Sequence, residues 1–150
     1  MKAVNRKYHF EYELIEPYEV GIQLTGAEVK SVKAGRIYLE DAFVKILESD
    51  EVFLINADIP VFEHSRAQGY DSRRTRKLLL HKKEILRLKT KVLAGGKLTI
   101  APVMCYNKGS LIKVQIALSK GKRSYEQKSY KKTKDVQRQQ ERELREYKKV

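Results

Sequence analysis

Apolar residues occupy every second position from Ile112 to Leu118, and polar residues such as Lys113 lie between them. A period of two predicts a strand with one buried face and one polar face. The turn-forming residues 107–110 come directly before this strand. They predict a hairpin that joins it to a second strand at about 98–106.

Earlier parts of the chain contain further strand-like runs. Residues 9–25 are predicted as a long strand, bent around Pro17. Residues 39–47 and 51–59 are rich in Val, Ile, Phe and Leu, and turn-forming residues separate them. Residues 62–75 have no sustained period and contain Gly, Asp and several Arg, so we expect a mobile loop there.

Two helices are predicted between these runs. A short helix is expected at about 27–34, and a longer one should begin near His81 or Lys82 and end at Gly95-Gly96. The inward positions of the longer helix are Ile85, Leu88 and Val92. The whole pattern predicts a mainly β protein with two or three short helices. We expect residues 1–123 to form a small closed or partly open β-barrel.

The last part of the chain has a different composition. From residue 124 onward, Val136, Leu144 and a few tyrosines are the main interruptions of a polar sequence. This is too little apolar area to offset the entropy of ordering, so residues 124–150 are predicted to be a tail that is disordered when free. Its Gln, Glu, Arg and Lys content favours a helix once a partner neutralises the charge.

Charge indicates the class of partner. The 150 residues carry a formal net charge of +13, and residues 121–150 hold 11 Lys and Arg against 5 Asp and Glu. Such an excess favours a polyanion as partner. No apolar run approaches the roughly 20 residues that a membrane span needs. Cys105 is the single cysteine, so we expect no intrachain disulfide and a reducing, cytoplasmic environment.

Three segments combine an apolar anchor with a cationic edge: 24–36, 76–81 and 119–122. In the first, Val29 and Val32 are predicted to face inward and leave the basic residues on an outer rim. An ordinary solvated helix face is the alternative interpretation. From these edges we predict RNA contacts by Lys30, Arg36, Arg76, Lys77, Lys120, Gly121 and Lys122.

Catalysis has little support in the sequence. His9, His64 and His81 could in principle supply a ribonuclease-like acid and base. They occur in a predicted strand, a loop and a helix start, and no spacing favours their meeting. We therefore predict no enzyme activity, no catalytic residue, no cofactor and no metal.

Five motifs, in this order, resemble the bacterial SsrA-binding protein (small protein B) family over nearly the whole chain. They are Asn5-Arg6-Lys7, Tyr18-Glu19-Val20-Gly21-Ile22 with Leu24-Thr25-Gly26, Glu28-Val29-Lys30-Ser31 with Gly35, Arg76-Lys77-Leu78-Leu79-Leu80, and Lys120-Gly121-Lys122. The resemblance implies an oligonucleotide-binding-type barrel that grips the tRNA-like domain of transfer-messenger RNA. It also implies delivery of that RNA to stalled ribosomes for trans-translation.

The resemblance implies site residues as well. Positions matching RNA-contacting residues of the family are Asn5, Arg6, Glu19, Leu79 and Lys113. The tail would enter the empty mRNA channel near the small-subunit decoding region and fold there as a helix. Its ribosome-contacting residues would be Lys128, Lys131, Lys132, Lys134, Arg138 and Arg142. We expect a monomer.

The sequence departs from the family pattern in two places. Phe10 stands where the family usually has histidine, and Lys131 stands where it usually has isoleucine. Two rival functions stay open: a generic barrel protein that binds structured or single-stranded RNA without a rescue role, and a small nuclease.

Overall fold

The computed structural model describes residues 1–63 and 68–148. Seven strands and four helices follow one another along the chain. In order they are β1 (Lys2–Val4), α1 (Tyr8–Glu11), β2 (Tyr12–Ile22), α2 (Gly26–Lys33), β3 (Phe43–Ile46), β4 (Val52–Ile55), β5 (Arg76–Leu79), α3 (Lys82–Leu93), β6 (Leu98–Lys108), β7 (Leu111–Gly121) and α4 (Ser124–Lys148).

The strands form one antiparallel sheet in the order β1-β6-β7-β2-β5-β4-β3. The predicted hairpin is present as β6 and β7, which are the second and third strands of this order. The β3 strand, at one edge, lies against β6 near the other edge, where no ladder joins them. β1 pairs with the opposite end of β6, at Met104 to Tyr106. The sheet therefore curls into a partly open barrel, which confirms the predicted fold class.

The apolar core fills the interior of this barrel. Val114, Ile116 and Leu118 of β7 are buried in it, and Leu88 is the buried anchor of α3. Cys105 is also buried there, and burial raises the pKa of its thiol to about 12. The inward positions predicted for β7 and α3 are therefore confirmed.

A second, smaller cluster lies on the outer face of the sheet. Tyr8 of α1 is fully buried against Ala101, Val103 and Ala117, and its hydroxyl is 2.5 Å from the Oγ atom of Ser119. α1 thus covers one end of the outer face of β6 and β7. The opposite end of that face, at Lys113, is left uncovered by α1.

Two local features set the bounds of α2. The Thr25 side chain accepts from the backbone N–H of Glu28, and the Glu28 carboxylate accepts from the backbone N–H of Thr25. This reciprocal pair satisfies two backbone donors at the helix start. Gly35 follows the helix with a φ of 83°, a conformation that favours glycine. Within α2, Val32 is buried as predicted, whereas Val29 is only partly buried.

The predicted long strand at 9–25 was wrong at its start. Residues Tyr8–Glu11 form a helical turn, and the strand begins at Tyr12 and ends at Ile22. The short strand β1 was not predicted. In the segment 62–75, the described residues form no helix or strand, which agrees with the predicted loop; His64 lies outside the described residues.

The basic tail forms helix α4 in the structure. Its helical propensity thus agrees with the sequence, and its disorder in the absence of a partner stays a prediction. Across the described residues, no helix combines the length and apolar character that crossing a membrane requires.

Candidate nucleic-acid interface

Five strands place five residues in a line across the outer face of the sheet. The directly opposed pairs run from Lys2 to Tyr106, from Tyr106 to Lys113, from Lys113 to Gly21, and from Gly21 to Leu79. Directly opposed residues project to the same face of a sheet. We call these five residues the outer row. It brings together Lys113 and Leu79, which the sequence suggested separately.

Gly21 forms the floor at the centre of the outer row. A Cβ atom added at Gly21 would lie 3.3 Å from the Cβ atom of Leu79, tighter than most side-chain contacts. The Leu79 side chain can therefore pack directly against Gly21, and Leu79 stays 54% exposed. An exposed leucine beside a backbone floor offers an apolar surface on which a ribose or base can rest.

Glu19 lies on the same face, two residues before Gly21. Its Oε1 atom accepts a hydrogen bond from the Lys108 ammonium at 3.2 Å, and its Oε2 atom accepts one from the Tyr106 hydroxyl. Both donors lie on β6 and reach across β7, a separation of about 10 Å between strands. Each carboxylate oxygen of Glu19 is thus held by a donor of the protein itself.

This arrangement perturbs two pKa values. The hydrogen bond from Tyr106, and next that from Lys108, lowers the pKa of Glu19. Desolvation, assisted by the bond to Glu19, raises the pKa of Tyr106 to about 12. At neutral pH the carboxylate is therefore ionised and the phenol keeps its proton. A carboxylate in an RNA interface can accept from a base amino group, or it can orient a neighbouring cation. The contact with Lys108 fits the second role and leaves the first to be tested.

The basic residues near α2 are exposed or half-buried, and two of them are paired. Lys30 lies on the solvent side of α2. Arg36 donates to Glu63 at 2.8 Å, and the Lys77 ammonium is 3.6 Å from Glu51. Lys77 precedes Leu79 by two residues in β5, so both side chains project to the same face. RNA contacts by Lys30, Arg36 and Lys77 stay predictions.

Arg76 requires a correction, because its side chain is fully buried. Its Nε donates to Glu28 at 2.5 Å, and its two terminal nitrogens donate to the carbonyl oxygens of Ala57 and Ser72 at 2.8 and 3.0 Å. Arg74 donates to the second Glu28 oxygen at 2.5 Å. The prediction that Arg76 contacts RNA is therefore wrong. Arg76 instead ties together α2, the segment after β4 and the segment before β5.

Asn5 requires a similar correction. It is only 4% exposed, and its side-chain amide donates to the carbonyl oxygen of Pro102 at 2.9 Å. Its Oδ1 atom accepts from the backbone N–H of Lys7 at 3.2 Å. The side chain thus fixes the connection between β1 and α1. In this structure it supports the fold and is not available to a nucleic acid.

The remaining predicted residues lie at the other end of β7, next to α1. Lys120 is exposed, Gly121 pairs with Tyr12, and Lys122 donates through its backbone N–H to the carbonyl oxygen of Glu11 at 2.8 Å. Arg6 is exposed before α1. Lys113 and Lys120 are seven residues apart in one strand, which separates them by roughly 23 Å. The predicted residues therefore form two regions of the surface.

The predicted tail residues are all exposed on α4: Lys128, Lys131, Lys132, Lys134, Arg138 and Arg142. Three of them, Lys131, Lys134 and Arg138, line a groove of about 380 Å³ between α4 and α1, together with Arg6. The structure thus brings part of the tail next to the N-terminal basic residues, which the sequence treated as separate. Contacts with a ribosome stay predictions.

Sequence reasoning missed the two donors that hold Glu19, namely Tyr106 and Lys108. The available signal was the period of two in β6, which places residues 106 and 108 on one face. Exposed tyrosines can stack on unpaired bases; Tyr38 is 52% exposed, whereas Tyr8 is buried. Among the described residues, no group of three or more His, Cys, Asp or Glu side chains is placed to hold a metal ion.

Comparison with known proteins agrees with these features. The sequence model of the family described as SmpB protein matches residues 2–146. An SsrA-binding protein of Sulfurihydrogenibium sp. is 47% identical over 91% of this chain and 89% of its own. One of Carboxydothermus hydrogenoformans is 41% identical over 95% of both chains.

A solved structure is also similar to the chain. It is described as "tmRNA-SmpB: a journey to the center of the bacterial ribosome", and it matches with a TM-score of 0.67 and 40% identity. The match covers 82% of this chain and 85% of the other. This similarity agrees with an oligonucleotide-binding-type barrel. Because the family's sequence model and these relatives cover nearly the entire length, the chain belongs to the SmpB protein family.

Proposed function

We propose that this chain binds the tRNA-like domain of transfer-messenger RNA and delivers it to stalled ribosomes for trans-translation. The observation that carries the proposal is the outer row, with Glu19 held beside it, in a chain of this family. It acts without enzymatic chemistry, as a monomer, in the cytoplasm where ribosomes work.

The chemistry of the outer row suits a folded RNA. RNA surfaces are recognised mainly through their shape, their phosphates and sugars, and a few accessible base edges. Lys113 supplies a charge for a phosphate, and Leu79 with Gly21 supplies an apolar floor for a sugar or base. The Glu19 carboxylate can accept from an exocyclic amino group of a base. Affinity and selectivity thus come from different side chains.

The tail has a separate role in this proposal. Its exposed Lys and Arg residues enter the mRNA channel of the small subunit when no message occupies it. There they neutralise ribosomal RNA phosphates, and the release of counterions stabilises the bound helix. An occupied channel excludes the tail sterically, which restricts rescue to ribosomes without a message.

Competition between RNAs tests the proposal. A gel shift at moderate salt should show that the tRNA-like RNA displaces ordinary tRNA of similar length from the protein. Equal affinity for both RNAs would favour a generic RNA-binding barrel instead. RNA cleavage that disappears on His81→Ala replacement would favour a nuclease.

We predict different effects for Lys113→Met and Glu19→Gln in this assay. Loss of a phosphate contact at Lys113 should weaken the binding of all RNAs alike. It should also reduce the slope of log K against log salt by about one. Loss of a base contact at Glu19 should instead reduce the preference for the tRNA-like RNA, by about 1–3 kcal/mol. Lys45→Met, on the exposed side of β3, is the matched control and should leave both quantities unchanged. An unchanged preference in Glu19→Gln would remove Glu19 from base recognition.

Tyr106→Phe provides a sharper test of how Glu19 is held. The substitution deletes one hydroxyl and keeps the ring, so we expect the preference for the tRNA-like RNA to fall. In a Glu19→Gln background the same change should have little further effect, because the two groups act together. Thermal melting provides the control for folding. Equal effects of Tyr106→Phe in both backgrounds would show that the hydroxyl acts independently of Glu19.

A further inference from the structure

The groove between α1 and α4 is lined mainly by cations. One wall contains Arg6 and Lys7, which precede α1. The other wall contains Lys131, Lys134 and Arg138 of α4. Among the described residues, one carboxylate, that of Asp135, and the ring of Phe10 also line it. The described lining of about 380 Å³ therefore contains five cations and one anion.

The cations of α4 share one helical face. Positions 131, 134 and 138 are three and four residues apart, so their side chains lie above one another along the helix. From Lys131 to Arg138 the helix rises by roughly 10 Å. The cations are therefore spread along the groove, where they can contact more than one phosphate of a strand.

The start of α4 is fixed beside α1. Lys122, two residues before the helix, donates to the carbonyl oxygen of Glu11 through its backbone N–H at 2.8 Å and to that of His9 through its ammonium at 2.6 Å. These two bonds attach the end of β7 to α1. Because the start of α4 is held in place, its cationic face lies opposite Arg6 and Lys7.

The charges that line the groove favour an anionic ligand. Like charges that face one another across a narrow groove repel, and water and salt screen that repulsion only in part. Among the described residues that line the groove, the Lys7–Asp41 contact at 3.8 Å pairs Lys7, and Arg6, Lys131 and Arg138 face the single carboxylate of Asp135. A run of phosphates in the groove would balance them, because each phosphate can bind cations from both walls.

We propose that α1 and α4 form a clamp for the phosphate backbone of an RNA strand, and that the strand stabilises α4 in its docked position. The inference rests on the proposed function in assuming that the partner is RNA. It adds a composite site in which the N-terminal basic residues and the tail bind the same stretch of backbone. The clamp needs no sequence readout, because the phosphates that it binds are alike in every nucleotide.

Binding of a 12-nucleotide oligouridylate to the full chain tests the clamp. The double variant Lys131→Met, Arg138→Met removes two phosphate contacts and should reduce the slope of log K against log salt by about 1.4 for this single-stranded RNA. The matched control is Lys45→Met, Lys82→Met, which removes the same charge from exposed positions outside the groove. Its slope should change by much less. Equal slope changes in the two variants would overturn the clamp in favour of general charge attraction.

A double-mutant cycle between the walls tests whether they hold one ligand. Arg6→Ala and Arg138→Ala should each weaken oligouridylate binding. The affinity of the double variant should fall by less than the product of the two single fold-changes. Losses that multiply would mean that the walls bind independently, and would refute the clamp. Oligouridylate should also increase the helical circular dichroism of the wild type and not that of the Arg138→Ala variant.

The clamp and the proposed function can fail separately. Preference for the tRNA-like RNA depends on Glu19 and the outer row, at the other end of β7. A protein that keeps this preference but shows multiplying losses in the cycle refutes the clamp alone. A protein that shows the coupling but no preference for the tRNA-like RNA refutes the proposed function alone.

Discussion

Replacing Arg76 with methionine is expected to destabilise the folded protein by about 3–5 kcal/mol. Methionine keeps much of the side-chain volume but removes the charge that Glu28 faces in the interior, as well as the donors to Ala57 and Ser72. Glu28 itself is 1% exposed and would keep Arg74 as its remaining charged partner. Urea denaturation of both proteins measures the loss of unfolding free energy.

The matched control for this experiment is Arg36→Met. Arg36 also pairs with a glutamate, but both side chains reach solvent, with exposed fractions of 41% and 66%. An exposed pair contributes about 0–1 kcal/mol, so the control should lose far less stability. If both variants lost the same small amount, the buried contacts of Arg76 would not be important for folding.

The same cluster predicts how stability depends on pH. Burial alone would raise the pKa of Glu28, but hydrogen bonds from Arg74, from the Thr25 backbone and from Arg76 together lower it from 4.5 to about 2. The folded state therefore binds the proton more weakly than the unfolded state. The resulting stabilisation is complete above the unfolded pKa and is lost as the pH falls from about 4.5 towards 2.

Glu28→Gln is the variant that isolates this contribution. The difference in unfolding free energy between the wild type and Glu28→Gln should be constant near neutral pH and should shrink below about pH 4.5. Urea midpoints measured across this range provide the check. A difference that does not change with pH would show that the Glu28 carboxylate titrates alike in both states.

Deletion of residues 124–150 is expected to abolish peptide tagging on stalled ribosomes while leaving most of the barrel's affinity for the tRNA-like RNA. The outer row, Glu19 and both apolar clusters lie entirely within residues 1–123. The deletion removes only α4, so the remaining domain should keep its melting behaviour. In vitro tagging and a gel shift on the same preparation measure the two effects.

A charge-depleted tail distinguishes loss of the helix from loss of its cations. Lys131→Met, Lys134→Met and Arg138→Met together keep the full length but remove the exposed cationic face. Tagging should fall strongly in this variant also, because phosphate neutralisation stabilises the bound tail. Full tagging by the truncated protein would refute the proposed role of the tail.

Elements with local signals could be predicted from the residues alone. The period of two in β7, the apolar spacing of α3 and the flanking glycines predicted a strand and a helix that the structure confirms. The order of the motifs indicated the family, and the charge excess indicated a polyanionic partner. The start of β2 was misjudged because the residues of α1 are aromatic and polar in an order that also suits a strand.

Which charged residues are interior and which reach the outer row depends on how distant elements pack in the folded protein. Glu28 and Arg76 are 48 residues apart in the chain, and Glu19 and Tyr106 are 87 apart. Periodicity reports on neighbours within one element, whereas burial and hydrogen-bond partners depend on which distant elements pack together. Arg76 therefore resembled a surface cation in the sequence, although packing around α2 had placed it inside.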